Sequence, residues 1–288
     1  MNIERVKKLP VQDRYLYWIT EREKIRHARD RGEPKPWTDD EILQKYKFCN
    51  VRRMDDRVSK WLLFNWYKKH FGHRNMLTAV TVARHFNTID TFRLVKFPII
   101  WDPHKMARKV NISHKKGNKV FSAAYMITGK ANKTKADYAI FDVANKVFKR
   151  QTEIMNGIQS MEELVDRLIT IKGISHFLGG QIAADMRWAT PGMWRDKKTW
   201  AAKGPGSQRG LNRLLERPIN TTFKDHEFQI ELQKVIGLCV RNLPAIINHR
   251  LEAIDYQNTL CEFFKYERTL FPGIHSSSRP KQTYPGVE

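Results

Sequence analysis

Apolar residues recur along most of this chain with the three-to-four-residue period of amphipathic helices. The spacing is clear in the group Val58, Trp61, Leu62 and Trp66, which has basic residues on the other faces. The same period predicts helices over 75–86, 134–155, 207–215, 225–242 and 256–270. Strand signals are scarce, and the β-rich stretch 120–127 reads equally as a buried helix. The pattern therefore predicts an all-α, mainly helical fold.

Two capping boxes mark helix starts. Thr38 and Glu41 have the required spacing and predict a short helix that begins after Thr38. Ser160 and Glu163 repeat the signal further along the chain. No repeat and no Pro/Gly/Ser-rich linker divides the sequence, so we expect one helical domain over 1–288, ending in a mobile tail from about residue 276.

The segment 160–188, SMEELVDRLITIKGISHFLGGQIAADMRW, resembles a helix-hairpin-helix. Lys172 and Gly173 form a tight turn, after which Ser175 can cap the second helix. Backbone N–H groups at such a turn and helix start can hold a DNA phosphate, which predicts Lys172, Gly173 and Ser175 as DNA-binding residues. Ser175 stands where the usual motif has a second glycine, so an ordinary helical hairpin is the alternative.

Residues 47–62, KFCNVRRMDDRVSKWL, crowd two arginines and two aspartates into the junction between two predicted helices. One interpretation is structural: Asp55 caps the helix that begins near Asp56, and an arginine is its salt-bridge partner. The other is that these side chains converge on a substrate. Adjacent helical residues point about 100° apart, so the two aspartates are expected to have different roles.

Residues 204–214, GPGSQRGLNRL, place a Gly-rich turn before a predicted helix. Ser207 is a candidate N-cap and DNA-phosphate ligand, and Arg209 and Asn212 follow in the first turns, where they can hold a phosphate or pyrophosphate. The stretch lacks the Lys-Ser/Thr ending of a nucleotide-triphosphate loop. A purely structural turn is the alternative.

Residues 255–268, DYQNTLCEFFKYER, place Asn258, Glu262 and either Lys265 or Tyr266 on one helix face. A contact between Glu262 and either Lys265 or Tyr266 has a functional role, or it is an ordinary side-chain pair on the surface of a helix.

The charge balance points to a polyanionic partner. The 288 residues include 52 Lys and Arg against 30 Asp and Glu, a net charge of +22 spread along the chain. Counterion release favours nucleic acid for such a surface. The three cysteines are far apart and have no metal-ligand spacing, which predicts reduced thiols. There is no signal-peptide pattern and no run of about 18 apolar residues, so we expect a cytoplasmic protein without a membrane span.

Four stretches together resemble one family. KFCNVRRMDDRVSKW, IKGISHFLGGQIAADMRW, GPGSQRGLNRL and NTLCEFFKYER, in that order, are similar to the alpha-glutamyl/putrescinyl thymine pyrophosphorylase family of phage thymine hypermodification. The resemblance spans roughly residues 15–285. The same module resembles the helical domain attached to hydroxymethyluridine DNA kinases. The resemblance implies a two-lobed, helix-hairpin-helix DNA-glycosylase-like fold with a cleft between the lobes, in a phage-infected bacterial host.

The resemblance also implies a reaction. An amino acid or other amine would displace pyrophosphate from 5-pyrophosphoryloxymethyluracil in double-stranded DNA, after the base leaves the stack. The residues expected to carry it fall into two groups: the candidate catalytic carboxylates are Asp55, Asp56 and Glu262; the candidate substrate ligands are Asn50, which could read a uracil edge, and Arg52, Arg53, Arg209, Asn212 and Tyr266.

No cofactor signature and no metal-ligand cluster is recognisable in the sequence, although Mg²⁺ can accompany pyrophosphate. The oligomeric state is not readable. Without a Walker loop, a complete kinase of the related kind is not expected. Two other functions compete with the transferase: a helix-hairpin-helix glycosylase, against which Phe177 stands at the position of the usual lyase lysine, and a non-catalytic DNA-binding module of a base-modification system.

Overall fold

The computed structural model describes residues 2–122, 133–274 and 283–284, and it is mainly helical. In these ranges no β-strand is present beyond an isolated antiparallel bridge between Tyr46 and Thr283, which confirms the predicted all-α class. The α-helices, in chain order, are α1 (Ile3–Lys8), α2 (Val11–Asp30), α3 (Glu41–Lys45), α4 (Arg57–Leu62), α5 (Met76–Phe86), α6 (Ile89–Val95), α7 (Pro103–Lys115), α8 (Lys135–Asp137), α9 (Asn145–Met155), α10 (Met161–Ile169), α11 (His176–Ala189), α12 (Pro205–Leu214), α13 (Asp225–Asn242), α14 (Ala245–Asn248) and α15 (Ala253–Leu270). A 3₁₀ turn (Arg53–Asp55) and two π-helical turns (Leu63–Tyr67 and Tyr138–Ala144) complete the helical structure.

The chain divides into two compact units. The first unit comprises Met1–Asp56 and Lys203–Glu288, and the second comprises Arg57–Ala202. The expected single domain, with two lobes and a cleft, stays a prediction.

In the first unit, α12 and α15 approach each other closely because α12 carries glycines on the contact face. A Cβ atom at Gly210 would lie 2.0 Å from the Leu260 carbonyl oxygen, and one at Gly206 would lie 2.3 Å from Cys261 Sγ. Only glycine permits this contact. The glycines of this stretch therefore serve helix packing, which corrects the interpretation of 204–214 as a turn that exposes backbone N–H groups to an anion.

Helix α2 packs against the same pair of helices through a buried ion-pair network. Glu267 is fully buried and accepts two hydrogen bonds from Arg14, at 2.7 and 2.9 Å, and a third from Arg213 at 2.7 Å. Tyr15 meets Phe263 edge-on beside this network. A buried carboxylate needs partners of this kind, so the network fixes α2 against α12 and α15.

The core of the second unit surrounds α5, of which every residue is buried. It packs against α9 and α11. Asp185, on α11, is fully buried and accepts hydrogen bonds from Arg84 and from the Tyr67 hydroxyl (2.6 Å). Asp185 is therefore a structural anchor.

The helix starts show where local signals decide the structure. Ser160 caps α10 as predicted, and its hydroxyl accepts from the Glu163 N–H at 3.1 Å. The Glu163 carboxylate accepts from the backbone N–H of Gln159 rather than from that of Ser160. Thr38 is not an N-cap: Asp40 caps α3 instead, and the Thr38 hydroxyl donates to Glu21.

Two predictions fall largely outside the described residues. Positions 123–127 of the ambiguous stretch 120–127 are not described, and neither is the proposed tail from about 276, except for residues 283–284.

Candidate functional site

The junction at residues 48–56 lies in the first unit and includes the 3₁₀ turn Arg53–Asp55. Helix α15 holds it at two points. The Cys49 backbone N–H donates to Glu262 Oε2 at 3.1 Å, and the Arg53 backbone N–H donates to Asp255 Oδ1 at 2.9 Å. These bonds join two motifs that are about two hundred residues apart in the sequence, so the convergence predicted for the junction and Glu262 is present.

The Asp55 carboxylate forms ion pairs with arginines. Its carboxylate is nearly buried and lies 3.1 Å from Arg250 Nη2, 3.6 Å from Arg26 Nε and 3.9 Å from Arg52 Nη1. These contacts give Asp55 the role of positioning arginines in this structure. Its predicted role as a catalytic carboxylate stays a prediction.

Asp56 has a different environment. Its Oδ1 accepts one hydrogen bond, from the Asn50 backbone N–H at 2.9 Å, and within the described ranges the carboxylate forms no ion pair. Burial raises its pKa to about 6, against the opposing effects of that hydrogen bond and of the Arg53 charge. A carboxyl group that titrates near neutrality can exchange protons with a substrate. Of the two aspartates, Asp56 is the candidate general base.

The charges of two arginines, Arg53 and Arg22, act on the Asp56 carboxyl group. Arg22 is fully buried and donates through Nη2 to the Phe48 carbonyl at 3.0 Å, while its Nε and Nη1 have no hydrogen-bond partner. The Arg53 guanidinium forms no hydrogen bond or ion pair in the part of the chain that the structure describes. Buried guanidinium N–H groups without hydrogen-bond partners are costly, so the arrangement favours a ligand with anionic oxygens.

Four arginines of the cluster were missed from the sequence: Arg22, Arg26, Arg29 and Arg250. Three come from one long helix and the fourth from the turn before α15. Arg22, Arg26 and Arg29 recur at three- and four-residue spacing on α2, a signal of one common face that could have been read from the sequence. The accessible edge of the cluster includes Arg52 and Arg250, whose side chains are 34% and 36% exposed.

The Asn50 side chain is engaged at both ends of its amide. Its Nδ2 donates to the Asp55 carbonyl at 2.8 Å, and its Oδ1 accepts from Arg29 Nη2 at 3.3 Å. The predicted reading of a uracil edge by Asn50 stays a prediction. Asn50 ties the 3₁₀ turn to α2.

On α15, the predicted face separates into two roles. Glu262 is nearly buried and is paired with Lys265 as well as with the Cys49 N–H, so it supports the junction. Tyr266 is fully buried and its hydroxyl donates to Asp40 Oδ2 at 2.6 Å. This bond joins α15 to the N-cap of α3, and the predicted role of Tyr266 as a substrate ligand stays a prediction.

The predicted residues of α12 point mostly into the interior. Ser207 is fully buried, lies at the third helical position, and exchanges hydrogen bonds with Gly204, which is the N-cap. Asn212 is also fully buried and its Nδ2 holds the carbonyls of Ile219 and Thr221. Both side chains are engaged within the first unit, and the DNA-binding role of Ser207 and the substrate-binding role of Asn212 stay predictions.

Arg209 is half-buried, and no hydrogen bond or ion pair among the described residues joins it to the junction. Its predicted contact with pyrophosphate stays a prediction.

The hairpin residues lie in the second unit. Lys172, Gly173 and Ser175 are exposed in the turn between α10 and α11, and Ser175 caps α11 by accepting from the Leu178 N–H at 3.2 Å. Gly173 has a φ of +110°, and a Cβ atom there would lie 2.7 Å from the Tyr138 hydroxyl. The tight turn requires glycine, whereas DNA binding by these residues stays a prediction.

Within the described ranges, no group of three or more His, Cys, Asp or Glu side chains is placed to hold a metal ion. None of the helices there is both long and apolar enough to cross a membrane.

Comparison with known proteins gives one family. Residues 9–276 match the family model described as the 5-hmdU DNA kinase helical domain. The chain is also similar to a 5-hmdU DNA kinase of Bacillus phage SP10, with 26% identity over 287 residues, covering 88% of this chain and 44% of the relative. The chain thus spans less than half the length of this relative. No solved structure matches. Since the family model covers nearly the whole sequence, the chain belongs to the family of the 5-hmdU DNA kinase helical domain.

Proposed function

We propose that this chain is a transferase of thymine hypermodification in phage DNA. It replaces the pyrophosphate of 5-pyrophosphoryloxymethyluracil with an amino acid or other amine and releases pyrophosphate. The observation that supports the proposal is that the charge of Arg53 acts on Asp56, whose pKa is raised to about 6, while the Arg53 guanidinium forms no hydrogen bond or ion pair in the described part of the chain. Proton acceptance and anion binding are the two requirements of this reaction.

In the proposed step, the Asp56 carboxylate accepts a proton from the ammonium group of the incoming amine. The neutral nitrogen then attacks the C5 methylene carbon, and the C–N bond forms while the C–O bond to pyrophosphate breaks. The electron pair leaves with the pyrophosphate oxygen. Arg52 and Arg53 bind the leaving group, because planar guanidinium forks suit phosphate oxygens. Asp55, whose Oδ1 lies 3.9 Å from Arg52 Nη1, helps to hold Arg52 in position.

DNA binding in this proposal relies on charge and on the hairpin of the second unit. The net charge of +22 favours a polyanion. Lys172 and Ser175 are exposed at the hairpin turn, where a phosphate can reach them. Both features support contact with the DNA backbone and carry no sequence preference.

A second function is favoured by the comparison. The relative is named a 5-hmdU DNA kinase, so the chain could bind 5-hydroxymethyluracil in DNA on behalf of a phosphorylating activity. The 288 residues contain no G-x-x-x-x-G-K-[S/T] motif, the phosphate loop of many kinases. In this alternative the arginine cluster would bind a phosphate of the DNA rather than a leaving group.

One experiment separates these functions. The protein is incubated either with 5-pyrophosphoryloxymethyluracil DNA and mixed amino acids, or with 5-hydroxymethyluracil DNA and ATP, and the DNA is digested to nucleosides for mass spectrometry. Aminoacylated nucleosides in the first reaction support the transferase, and phosphorylated nucleosides in the second support the kinase. Abasic sites would identify a glycosylase. Binding without any change of base would identify a recognition module.

Two variants test the site. Asp56→Asn and Arg53→Ala should each abolish the new nucleoside while binding to unmodified DNA persists. Asp13→Asn is the matched control, because Asp13 is an exposed aspartate of the same unit outside the cluster. Full turnover by both site variants would refute the assignment.

A further inference from the structure

The turn between α6 and α7 in the second unit exposes two adjacent isoleucines to solvent. Ile99 is 57% exposed and Ile100 is 84% exposed, which is the highest value among the large hydrophobic side chains of the described residues. Two apolar side chains side by side on a strongly basic protein are costly in water, so their position calls for a partner.

The turn is held from beneath by a buried polar network. Asn75 Nδ2 donates to the Pro98 carbonyl at 2.8 Å and to the Ile99 carbonyl at 3.1 Å. The Asn75 oxygen in turn accepts from Gln151 Nε2 at 3.0 Å, and Gln151 accepts from the Thr78 hydroxyl at 2.8 Å. Asn75, Gln151 and Thr78 are all buried, and a fully satisfied network of this kind is rigid.

Both ends of the turn are also fixed. The Phe97 ring stacks on His70, with centroids 3.9 Å apart and an angle of 2° between the planes. On the other side, Trp101 Nε1 donates to Asn145 Oδ1 at 2.9 Å. Lys96 has a φ of +63°, a strained conformation for a lysine that persists only when its surroundings impose it. The isoleucines are therefore presented by an ordered turn.

The segment that packs against the start of the turn is basic. Residues 57–89 contain no Asp or Glu, and the exposed carboxylate closest in sequence to the isoleucines is Asp102, which caps α7. Lys68, Lys69 and Arg74 are exposed in the segment that carries His70, the stacking partner of the turn, and Phe71 in the same segment is 64% exposed. An apolar projection flanked by cations is complementary to a nucleic acid duplex, which offers phosphates outside and base stacks inside.

We infer that Ile99 and Ile100 form a wedge that enters duplex DNA between base pairs, while Lys68, Lys69 and Arg74 bind the flanking phosphates. Apolar side chains inserted at a base step unstack it and kink the duplex. The inference rests on the proposed function only in taking DNA as the substrate.

The test measures unstacking without any turnover. A duplex carries 2-aminopurine, which fluoresces when unstacked, opposite a 5-hydroxymethyluracil, and no amine is added. The wild-type protein at saturation should raise the fluorescence several-fold. The double variant Ile99→Ala/Ile100→Ala should bind about tenfold more weakly, through lost apolar burial, and should leave the fluorescence low even at saturation. Ile230→Ala is the matched control, because Ile230 is 55% exposed on α13 and should behave as wild type.

Salt dependence separates the wedge from its cationic flanks. Lys68→Ala and Lys69→Ala should each reduce the slope of log Kd against log salt by about one. The isoleucine variant should keep the wild-type slope. Circular dichroism confirms folding, which we expect to be unchanged because both isoleucines are exposed.

Several outcomes would overturn the inference: no fluorescence rise with wild type, the same rise with the double variant, or self-association in sedimentation that the double variant abolishes without a change in DNA binding. The last result would assign the turn to a second copy of the chain. Unstacking that persists in a protein without transferase activity would refute the proposed function and leave the wedge standing.

Discussion

Replacing Asp56 by asparagine should make the protein more stable at neutral pH while removing its proposed chemistry. The carboxyl group is buried without an ion pair among the described residues, and its pKa rises from an ordinary value of 3.8 to about 6. Asparagine keeps an oxygen that can accept the Asn50 N–H bond, so the substitution removes the charge and little else. The burial penalty on the charged form then disappears.

The magnitude and its pH window follow from the two pKa values. The native state holds the Asp56 proton more tightly than the unfolded chain, so stability falls as pH rises between about 4 and 6. A difference of about two pKa units at 1.36 kcal/mol each amounts to about 3 kcal/mol, which is fully lost above pH 6. Asp56→Asn should therefore match wild type near pH 4 and exceed it by up to about 3 kcal/mol at pH 7.

The neighbouring aspartate provides the control. Asp55→Asn removes the charge shared by Arg26, Arg52 and Arg250, although Arg26 keeps Glu23 and Asp30 as partners. Losing this charge-assisted contact with Arg250 should destabilise the protein by about 1–3 kcal/mol. The same substitution at adjacent positions should thus have opposite signs at pH 7.

Urea unfolding at pH 4 through pH 8, followed by circular dichroism and by tryptophan fluorescence, measures both variants. Free energies are compared where the two probes give one transition, since the chain has two compact units. If Asp56→Asn is no more stable than wild type at pH 7, or loses stability at every pH as Asp55→Asn does, then Asp56 is a structural ion-pair residue and the reasoning fails.

Three further predictions concern the rate, the junction and the helix contact. In a pH–rate profile, the transfer rate should rise tenfold per pH unit below pH 6 and level off above it, because Asp56 must be ionised to accept a proton. A transfer rate that falls as the pH rises towards 6 would contradict the role of Asp56 as the base. Glu262→Ala should cost about 1–2 kcal/mol in urea unfolding by leaving a backbone N–H of the junction unpaired, whereas Glu262→Gln should cost less. Gly210→Ala should cost about 3 kcal/mol or more in thermal unfolding, since its Cβ would lie 2.0 Å from the Leu260 carbonyl oxygen. Gly237→Ala, whose Cβ meets only a flexible arginine side chain, should stabilise the protein by about 0.5–1 kcal/mol. Equal effects of the two substitutions would mean that the close approach of α12 to α15 is not maintained in solution.

The helices were largely predictable because they depend on local periodicity. The predicted helix over 225–242 is observed as Asp225–Asn242, and 75–86 is observed as Met76–Phe86. The exceptions arose where distant contacts chose between equivalent local signals. Thr38 and Asp40 are both good N-caps, and Thr38 lost the role because its hydroxyl donates to Glu21 on another helix.

The candidate site was only half predictable, and the reason is physical. The motif identified the segment of the candidate site, because a dense cluster of opposite charges is visible in the sequence. Which aspartate is free depends on Arg26 and Arg250, which approach Asp55 from α2 and from the turn before α15. Local spacing contains no information about those two approaches. With both arginines on Asp55, its neighbour Asp56 has one backbone hydrogen bond, and desolvation raises the pKa of its carboxyl group because that bond and the charges of Arg53 and Arg22 offset only part of the effect. The reactivity proposed for Asp56 is thus a consequence of the structural role of Asp55, so a variant that frees Asp55 from its arginines should also disturb the titration of Asp56.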